Sequence, residues 1–320
     1  MDLQSVKFDG HPHIIDARQF TRPWLEEIFF PLSAKMKAVF ENGGCQDLAE
    51  KRMAVTFYEP STRTRYYSQM AMEYMGGRVV FVTENAREFS SAKKGEIIRD
   101  SIRVLDRARP DVIVIRYDQE GGAKIAAEVS RAAIINAGDG PGQHPTQALL
   151  DIYTIQQRIG HIDDLSIAMV GDLVNGRTVR SLCYLLGKFE NVKIYFVSPK
   201  SAQMKEDIKD YLRRNDVEFY ETTDLREIIR FVDVAYQTRV QKERGTLVDI
   251  TNGCYCRINS QIVEMAKPDS IIMHPLPRVD ELSLSVDSDP RAVYLTDQLD
   301  SSLSTKMALL KIILAPNLSI

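Results

Sequence analysis

The segment Ser61-Thr62-Arg63-Thr64-Arg65 gathers hydroxyls and guanidinium groups where the chain changes character. A strand-like apolar run at 53–57 gives way to Pro60. Beyond Arg65, apolar residues at Tyr67, Met70, Ala71, Tyr74 and Met75 recur with helical spacing as far as Gly76-Gly77. Hydroxyls, an arginine and the unpaired N–H groups of a helix start make a seat for a phosphate-sized dianion. A plain N-cap followed by surface arginines accounts for the same residues taken alone. Four more polar clusters carry the argument further, each directly after an apolar run, and Arg116 closes another such run at 112–115. Asn136 to His144 follows 133–135, Gly171 to Arg177 follows 167–170, Thr238 to Arg244 follows 232–237, and His274 to Arg278 follows 271–273. Ligands of open parallel sheets bind beyond the carboxyl ends of the strands. Clusters recurring at such ends imply an arginine-rich cleft between two sheets, suited to small anions.

The elements that must position these residues alternate. Strands are expected at 53–57, 78–82, 111–116, 133–137, 166–170, 193–197, 217–220, 232–237 and 270–273. Helical patterns lie between them at 94–106, 122–130, 177–188, 201–215 and 225–231. Nearly all-apolar strands alternating with helices indicate parallel sheets covered on both faces. A helix at 144–157, with Ala148, Leu149, Ile152 and Ile155 on one side, separates an earlier group of strands from a later one. The expected architecture is therefore α/β: two doubly wound parallel-sheet domains of similar size joined by a bridging helix. They span 1–145 and 146–301, and a C-terminal helix at about 302–320 returns to the first.

Composition narrows the function. The 320 residues include 41 basic and 44 acidic side chains, a net charge of −3. Without a basic surplus, nucleic acid is not the expected partner. No run of 18 apolar residues suggests a membrane span, and the first residues lack the basic-then-apolar order of a signal peptide. Four scattered cysteines, two of them in Cys254-Tyr255-Cys256, fit neither a disulfide framework nor a CxxC pair. The reading is a reduced, cytoplasmic protein. Gly171 and Gly176 do not reproduce the G-x-G-x-x-G spacing, and Asp172 lies where a pyrophosphate would sit. Neither a Walker A sequence nor H-E-x-x-H occurs, so no cofactor and no catalytic metal are expected.

Together these motifs resemble the transcarbamylases: Ser61 to Arg65, His144-Pro145-Thr146-Gln147 continuing to Asp151, and His274-Pro275-Leu276-Pro277. Gly171-Asp172-Leu173 with Gly176-Arg177-Thr178-Val179, Thr238 to Arg244, and Arg278 after Pro277 narrow the likeness to the branch that carbamoylates aspartate. It runs from about residue 10 to the C-terminus. The resemblance implies transfer of the carbamoyl group of carbamoyl phosphate to L-aspartate, giving N-carbamoyl-L-aspartate and phosphate in pyrimidine synthesis. Residues 1–145 become the carbamoyl-phosphate-binding domain and 146–301 the aspartate-binding domain. Ser61, Thr62, Arg63 and Thr64 would hold the phosphate, while Thr64, Arg116 and His144 would face the carbonyl oxygen as an oxyanion hole. Gln147 and the carbonyls of Leu276 and Pro277 would accept from the carbamoyl NH2, a chain path that a cis Leu276–Pro277 bond would supply. Arg177, Arg239 and Gln241 would bind the carboxylates of aspartate.

Three further implications concern assembly and motion. Ser90 and Lys94 match a loop that reaches into the neighbouring subunit's site, touching both substrates, so the active unit would be a homotrimer with shared sites. Glu59 matches a residue that bridges the domains on closure, with Arg177 and Arg244 as its partners; a helix-start acid is the plainer account. The segment 119–124 resembles one that meets regulatory chains, although a surface loop explains it equally, and a dihydroorotase partner is left open. The chain departs from the family at Tyr66 to Gln69, at Tyr117-Asp118 (where His-Pro is common), at Arg180 and at 300–306. These positions suggest altered packing, above all at the C-terminal end. Two rivals remain. An ornithine enzyme usually carries Cys in place of Pro275 and lacks Arg239-Val240-Gln241; a non-catalytic paralogue typically loses Arg63, His144 or Lys94.

Overall fold

The computed structural model describes residues 12–239 and 256–315. The chain divides into two compact units, one ending at Leu150 and resumed from Asp300, the other running from Asp151 to Leu299. The first division falls inside the helix Pro145–Ile159 and the second inside the helix Asp297–Leu314.

The first unit holds a parallel sheet of β1 (Arg52–Phe57), β2 (Arg78–Thr83), β3 (Val112–Tyr117) and β4 (Ala133–Asp139), in the order β2-β1-β3-β4. The chain passes from β1 to β2 on one side and then crosses to β3 on the other. The carboxyl ends of β1 and β3 therefore flank a topological switch point, where α/β sheets take their ligands. β1, β3 and β4 are almost wholly buried, as their apolar runs require. The edge strand β2 instead exposes Val80, Phe81 and Val82. Ala54, Ile98, Ile102, Ile113, Ile115, Ala126 and Ile134 form one core cluster of this unit, each buried Ile contributing about 1.5–3 kcal/mol.

Two features of this unit differ from expectation. Ahead of β1, helical turns run from Arg22–Trp24 through a π-helical Leu25–Phe29 into Phe30–Glu41, with the Phe30 N–H bonding back to the Leu25 carbonyl. Pro31 explains the widened turn: it has no N–H to give and its ring would crowd the preceding turn. The C-terminal helix, expected to be altered, runs unbroken over Asp297–Leu314. Its unusual polar residues are satisfied within the helix: Thr305 Oγ1 donates to the Ser301 carbonyl at 2.5 Å, and Lys306 Nζ to Ser302 Oγ at 2.7 Å.

The second unit holds β5 (Ser166–Val170), β6 (Lys193–Val197), β7 (Glu218–Thr222), β8 (Val234–Gln237) and β9 (Ile271–Met273), all parallel, in the order β7-β6-β5-β8-β9. Its switch point lies between β5 and β8. Three helical expectations are corrected. The segment 225–231 forms two 3-10 turns, Leu225–Glu227 and Ile229–Phe231, divided at Ile228, whose φ of −121° is not helical. The segment 201–215 is α-helical only over Glu206–Arg214, because the Ala202 carbonyl accepts from Leu173 and Val174 at 3.0 and 3.1 Å instead of continuing a helix. In the first unit, 94–106 begins as a 3-10 turn, Ser91–Lys94, ended by Gly95 at φ 94°, and the α-helix starts at Ile98. Cys45 and Cys183 are free thiols. No helix among the described residues is long and apolar enough to cross a membrane.

Candidate active site

In the first unit the expected phosphate residues stand at the switch point. Ser61 is the N-cap of the helix Thr62–Tyr74, so Thr62, Arg63 and Thr64 form its first turn, whose N–H groups have no intrahelical acceptors. The Ser61 side chain makes no capping bond; its hydroxyl turns to Thr64 Oγ1 at 3.1 Å. Arg116 pairs in register with Phe57, level with the end of β1. Its Nε lies 3.3 Å from Glu59 Oε2, and its Nη1 donates to the Ala137 carbonyl on β4 at 3.4 Å. Arg116 thus ties the loop after β1 to the end of β4. Glu59, expected to pair with Arg177 and Arg244, has this arginine as a partner within its own unit.

β4 leads to His144, which is buried at the head of the helix Pro145–Ile159. His144 Nδ1 lies 3.3 Å from both the Gln147 backbone N–H and Thr146 Oγ1. With Nδ1 facing the Gln147 amide as acceptor, Nε2 is the ring nitrogen left to donate. Gln147 follows within the first turn of that helix, half-buried. Ser90 donates to the Ala86 carbonyl at 2.6 Å and accepts from Ala92 N–H at 3.1 Å. That local cap shapes the turn carrying Lys94, which is exposed.

The second unit repeats the arrangement with different chemistry. Gly171 leaves β5 at φ +116°, and a Cβ there would lie 2.3 Å from the Thr238 carbonyl oxygen. Glycine therefore lets the ends of β5 and β8 close up, while Thr238 Oγ1 donates to the Val170 carbonyl at 3.0 Å. Asp172 is fully buried and accepts from the Asn175 backbone and side-chain amide at 3.1–3.3 Å. Arg177, buried, opens the helix Arg177–Leu186, and Arg239 stands half-buried just after β8. Gln241 and Arg244 lie outside the described residues.

The Leu276–Pro277 bond is cis, with Leu276 at φ 49°. His274 is buried beneath it: its Nδ1 accepts from Leu276 N–H at 2.7 Å, and its Nε2 lies 2.8 Å from Glu281 Oε1. With Nδ1 accepting, Nε2 donates to the carboxylate. Burial would raise the Glu281 pKa, but the His274 hydrogen bond, the backbone amides of Glu281 and Val279 and the attraction of His274 together hold it below the usual range. The His274 N–H donates to Gln298 Oε1 at 3.0 Å, Gln298 Nε2 to Asp151 Oδ1 at 2.7 Å, and Tyr236 OH to Asp151 Oδ2 at 2.6 Å. Burial, then the charge and hydrogen bond of Asp151, push the Tyr236 phenol well up. Of these supporting residues, only Asp151 stands in a motif legible in the sequence, the one that begins at His144; Tyr236, Glu281 and Gln298 carry no local signal.

Two parallel α/β units thus carry anion-suited residues at their switch points, where sheets of this class take small ligands. A model of the aspartate/ornithine carbamoyltransferase carbamoyl-P binding domain matches residues 12–157, and one of the Asp/Orn binding domain matches 163–313. The chain belongs to the aspartate/ornithine carbamoyltransferase family. It is 50% identical over 305 residues to the chloroplastic aspartate carbamoyltransferase of Arabidopsis thaliana, covering 94% of this chain and 77% of that one. It is 46% identical over 273 residues to the aspartate carbamoyltransferase catalytic subunit of Methanocaldococcus jannaschii, covering 84% and 87%. Among solved structures, the aspartate transcarbamoylase of Trypanosoma cruzi in complex with carbamoyl phosphate and aspartate matches with a TM-score of 0.89 at 37% identity, covering 95% of this chain and 97% of that one.

Proposed function

We propose that the chain transfers the carbamoyl group of carbamoyl phosphate to the amino group of L-aspartate, giving N-carbamoyl-L-aspartate and phosphate, a step of pyrimidine synthesis. The observation that carries this reading is the juxtaposition in the first unit: the Ser61–Thr64 helix start follows β1, Arg116 stands at the end of β3 and His144 follows β4, three neighbouring strands. The first-turn N–H groups, the hydroxyls and Arg63 take the phosphate dianion. Thr64, Arg116 and His144 Nε2 donate to the carbonyl oxygen as the amine attacks and negative charge gathers there. Gln147 and the Leu276 and Pro277 carbonyls accept from the NH2 group. Arg177, Arg239 and Gln241 orient the dicarboxylate. The C–O bond to phosphate breaks, and the departing phosphate takes the amine proton, so no side chain need serve as a strong base. Fixed charges and placement then supply the rate.

Ser90 and Lys94 complete the site of an adjacent subunit, making a homotrimer the working unit. The exposed apolar edge of β2, with exposed Tyr66 and Phe89 in the same unit, supports burial against a second copy. Cytoplasmic residence is part of the same reading, and fractionation of the source cells tests it. The deciding assay incubates purified protein with carbamoyl phosphate labelled in the carbamoyl group and a panel of amines. Labelled carbamoyl aspartate, absent with Arg63→Ala, is expected. A preference for ornithine, or no transfer by the unaltered chain, overturns the assignment.

A further inference from the structure

Arg87 lies outside every residue assigned above, yet it touches two of the segments that carry them. It sits on the short helix Ala86–Phe89, immediately before the Ser90–Lys94 turn. Its Nε donates to Asp118 Oδ2 at 2.7 Å and its Nη2 to Asp118 Oδ1 at 2.9 Å, a two-pronged fork. Nη2 also donates to Tyr117 OH at 3.0 Å. The guanidinium lies 5.1 Å from the Tyr117 ring centre and 5.6 Å from that of Tyr58, and the two rings meet edge to face at 4.8 Å. Tyr58 directly precedes Glu59; Tyr117 and Asp118 directly follow Arg116.

The fork is anchored at both ends. On the Asp118 side, Gly140 N–H donates to the Tyr117 carbonyl at 2.9 Å, while Asp139 accepts from Gly121 and Gln143 N–H at 3.0 and 2.6 Å. Those bonds tie the loop after β3 to the segment that delivers His144. On the other side, Ser90 N–H and Oγ both donate to the Ala86 carbonyl, at 3.1 and 2.6 Å. The turn bearing Lys94 therefore moves with the helix bearing Arg87. Asn85 at φ 59° and Gly95 at φ 94° bound this piece.

We propose that Arg87 is a positioning residue: it locks the Ser90–Lys94 turn to the Tyr58 and Tyr117–Asp118 segments, so that Lys94 is presented in one conformation from a frame shared with Arg116. The inference rests on the reading that Lys94 contacts substrate. A loop freed of this lock is competent only part of the time, and apparent affinity falls by the competent fraction. Saturating substrate selects the competent form again, so KM moves and kcat stays.

The test compares wild type, Arg87→Ala, Arg87→Lys, Asp118→Asn and the Arg87→Ala/Asp118→Asn double variant by steady-state kinetics and by amide hydrogen exchange across 85–97. Arg87→Ala is expected to raise KM for both substrates about tenfold with kcat within about threefold. Arg87→Lys, which keeps the charge but not the fork or the ring contact, should fall between. The double variant should be no worse than Arg87→Ala, and exchange at 85–97 should quicken while β1 and β3 keep their protection. An inactive wild type sinks the functional reading itself. An active wild type with unchanged KM in Arg87→Ala, a loss confined to kcat, or additive single effects overturns the lock. Should Arg87→Ala fail to fold, Arg87→Lys and Asp118→Asn decide by the same criteria.

Discussion

Replacing His274 with leucine removes a buried side chain that serves two neighbours at once. The substitution deletes the acceptor of the Leu276 N–H at 2.7 Å and the donor to Glu281 at 2.8 Å, leaving the carboxylate to the backbone amides of Glu281 and of Val279, the latter at 3.1 Å. The bond between backbone and Gln298 survives. A lost neutral hydrogen bond is worth about 1 kcal/mol, and a buried carboxylate stripped of a charge-assisted partner adds about 2–3, so the second unit should lose roughly 3–4 kcal/mol at pH 7. The pH dependence is sharper than the magnitude. In the wild type the depressed Glu281 pKa contributes stability that is present above its unfolded value and lost as pH falls through the folded one. In His274→Leu burial prevails and that pKa rises above the unfolded value, so the variant regains stability as pH falls and the acid protonates. The gap between the two proteins should therefore narrow from pH 7 toward pH 4.

Hydrogen exchange of peptides from β8 and β9 reads this unit alone, which a whole-chain melt of two units does not. His274→Leu/Glu281→Leu should recover about 2 kcal/mol of the loss, since removing both partners leaves no orphaned charge. Turnover should fall in the single variant because the Leu276 and Pro277 carbonyls lose their support. A cost under about 1 kcal/mol at pH 7, or a gap that widens on acidification, would refute the reasoning.

Shared sites predict complementation: Arg63→Ala chains mixed equally with Lys94→Ala chains and reassembled should show about a quarter of wild-type activity, because a site needs one intact contribution from each chain. Activity no higher than either parent would place both residues in one subunit's site. Gly171→Ala should cost the second unit about 3 kcal/mol or more, given a Cβ 2.3 Å from the Thr238 oxygen and φ +116°; wild-type exchange protection in β5 would contradict that. Asp207 accepts two bonds from Arg180 at 3.0 and 2.6 Å, and that hydrogen bond outweighs burial to lower its pKa. Its contribution is present above the unfolded pKa and lost as pH falls through the folded one, so Asp207→Asn should flatten the stability curve below about pH 4. An unchanged acid limb would show that the pair, with Asp207 half exposed, is inert.

The strands were legible because buried parallel strands are nearly continuous apolar runs, and the polar residues after them marked both switch points. Seven-residue and glycine-interrupted stretches misled, since periodicity cannot tell a 3-10 turn from the start of an α-helix. Pro31 hid the helix ahead of β1. The supporting layer left no pattern at all: Arg87 and Asp118 are 31 residues apart, and Asp151 meets Tyr236 and Gln298 across 85 and 147. Such pairs exist only once the sheets have formed. Polar residues near carboxyl ends can be read locally, but what holds them still cannot.

The two switch points differ in the groups they present to an anion. Each sheet ends its first strand in a turn that opens a helix, so each offers N–H groups and a positive dipole end to a negative ligand. The first turn of the helix Thr62–Tyr74 holds no acidic residue, and its hydroxyls add donors. At Asp172 a buried carboxylate already takes the Asn175 amides, and a phosphate there would meet a like charge at contact distance. The same end carries guanidinium groups, Arg177 at the helix start and Arg239 after β8, and planar forks of this kind suit carboxylates bidentately.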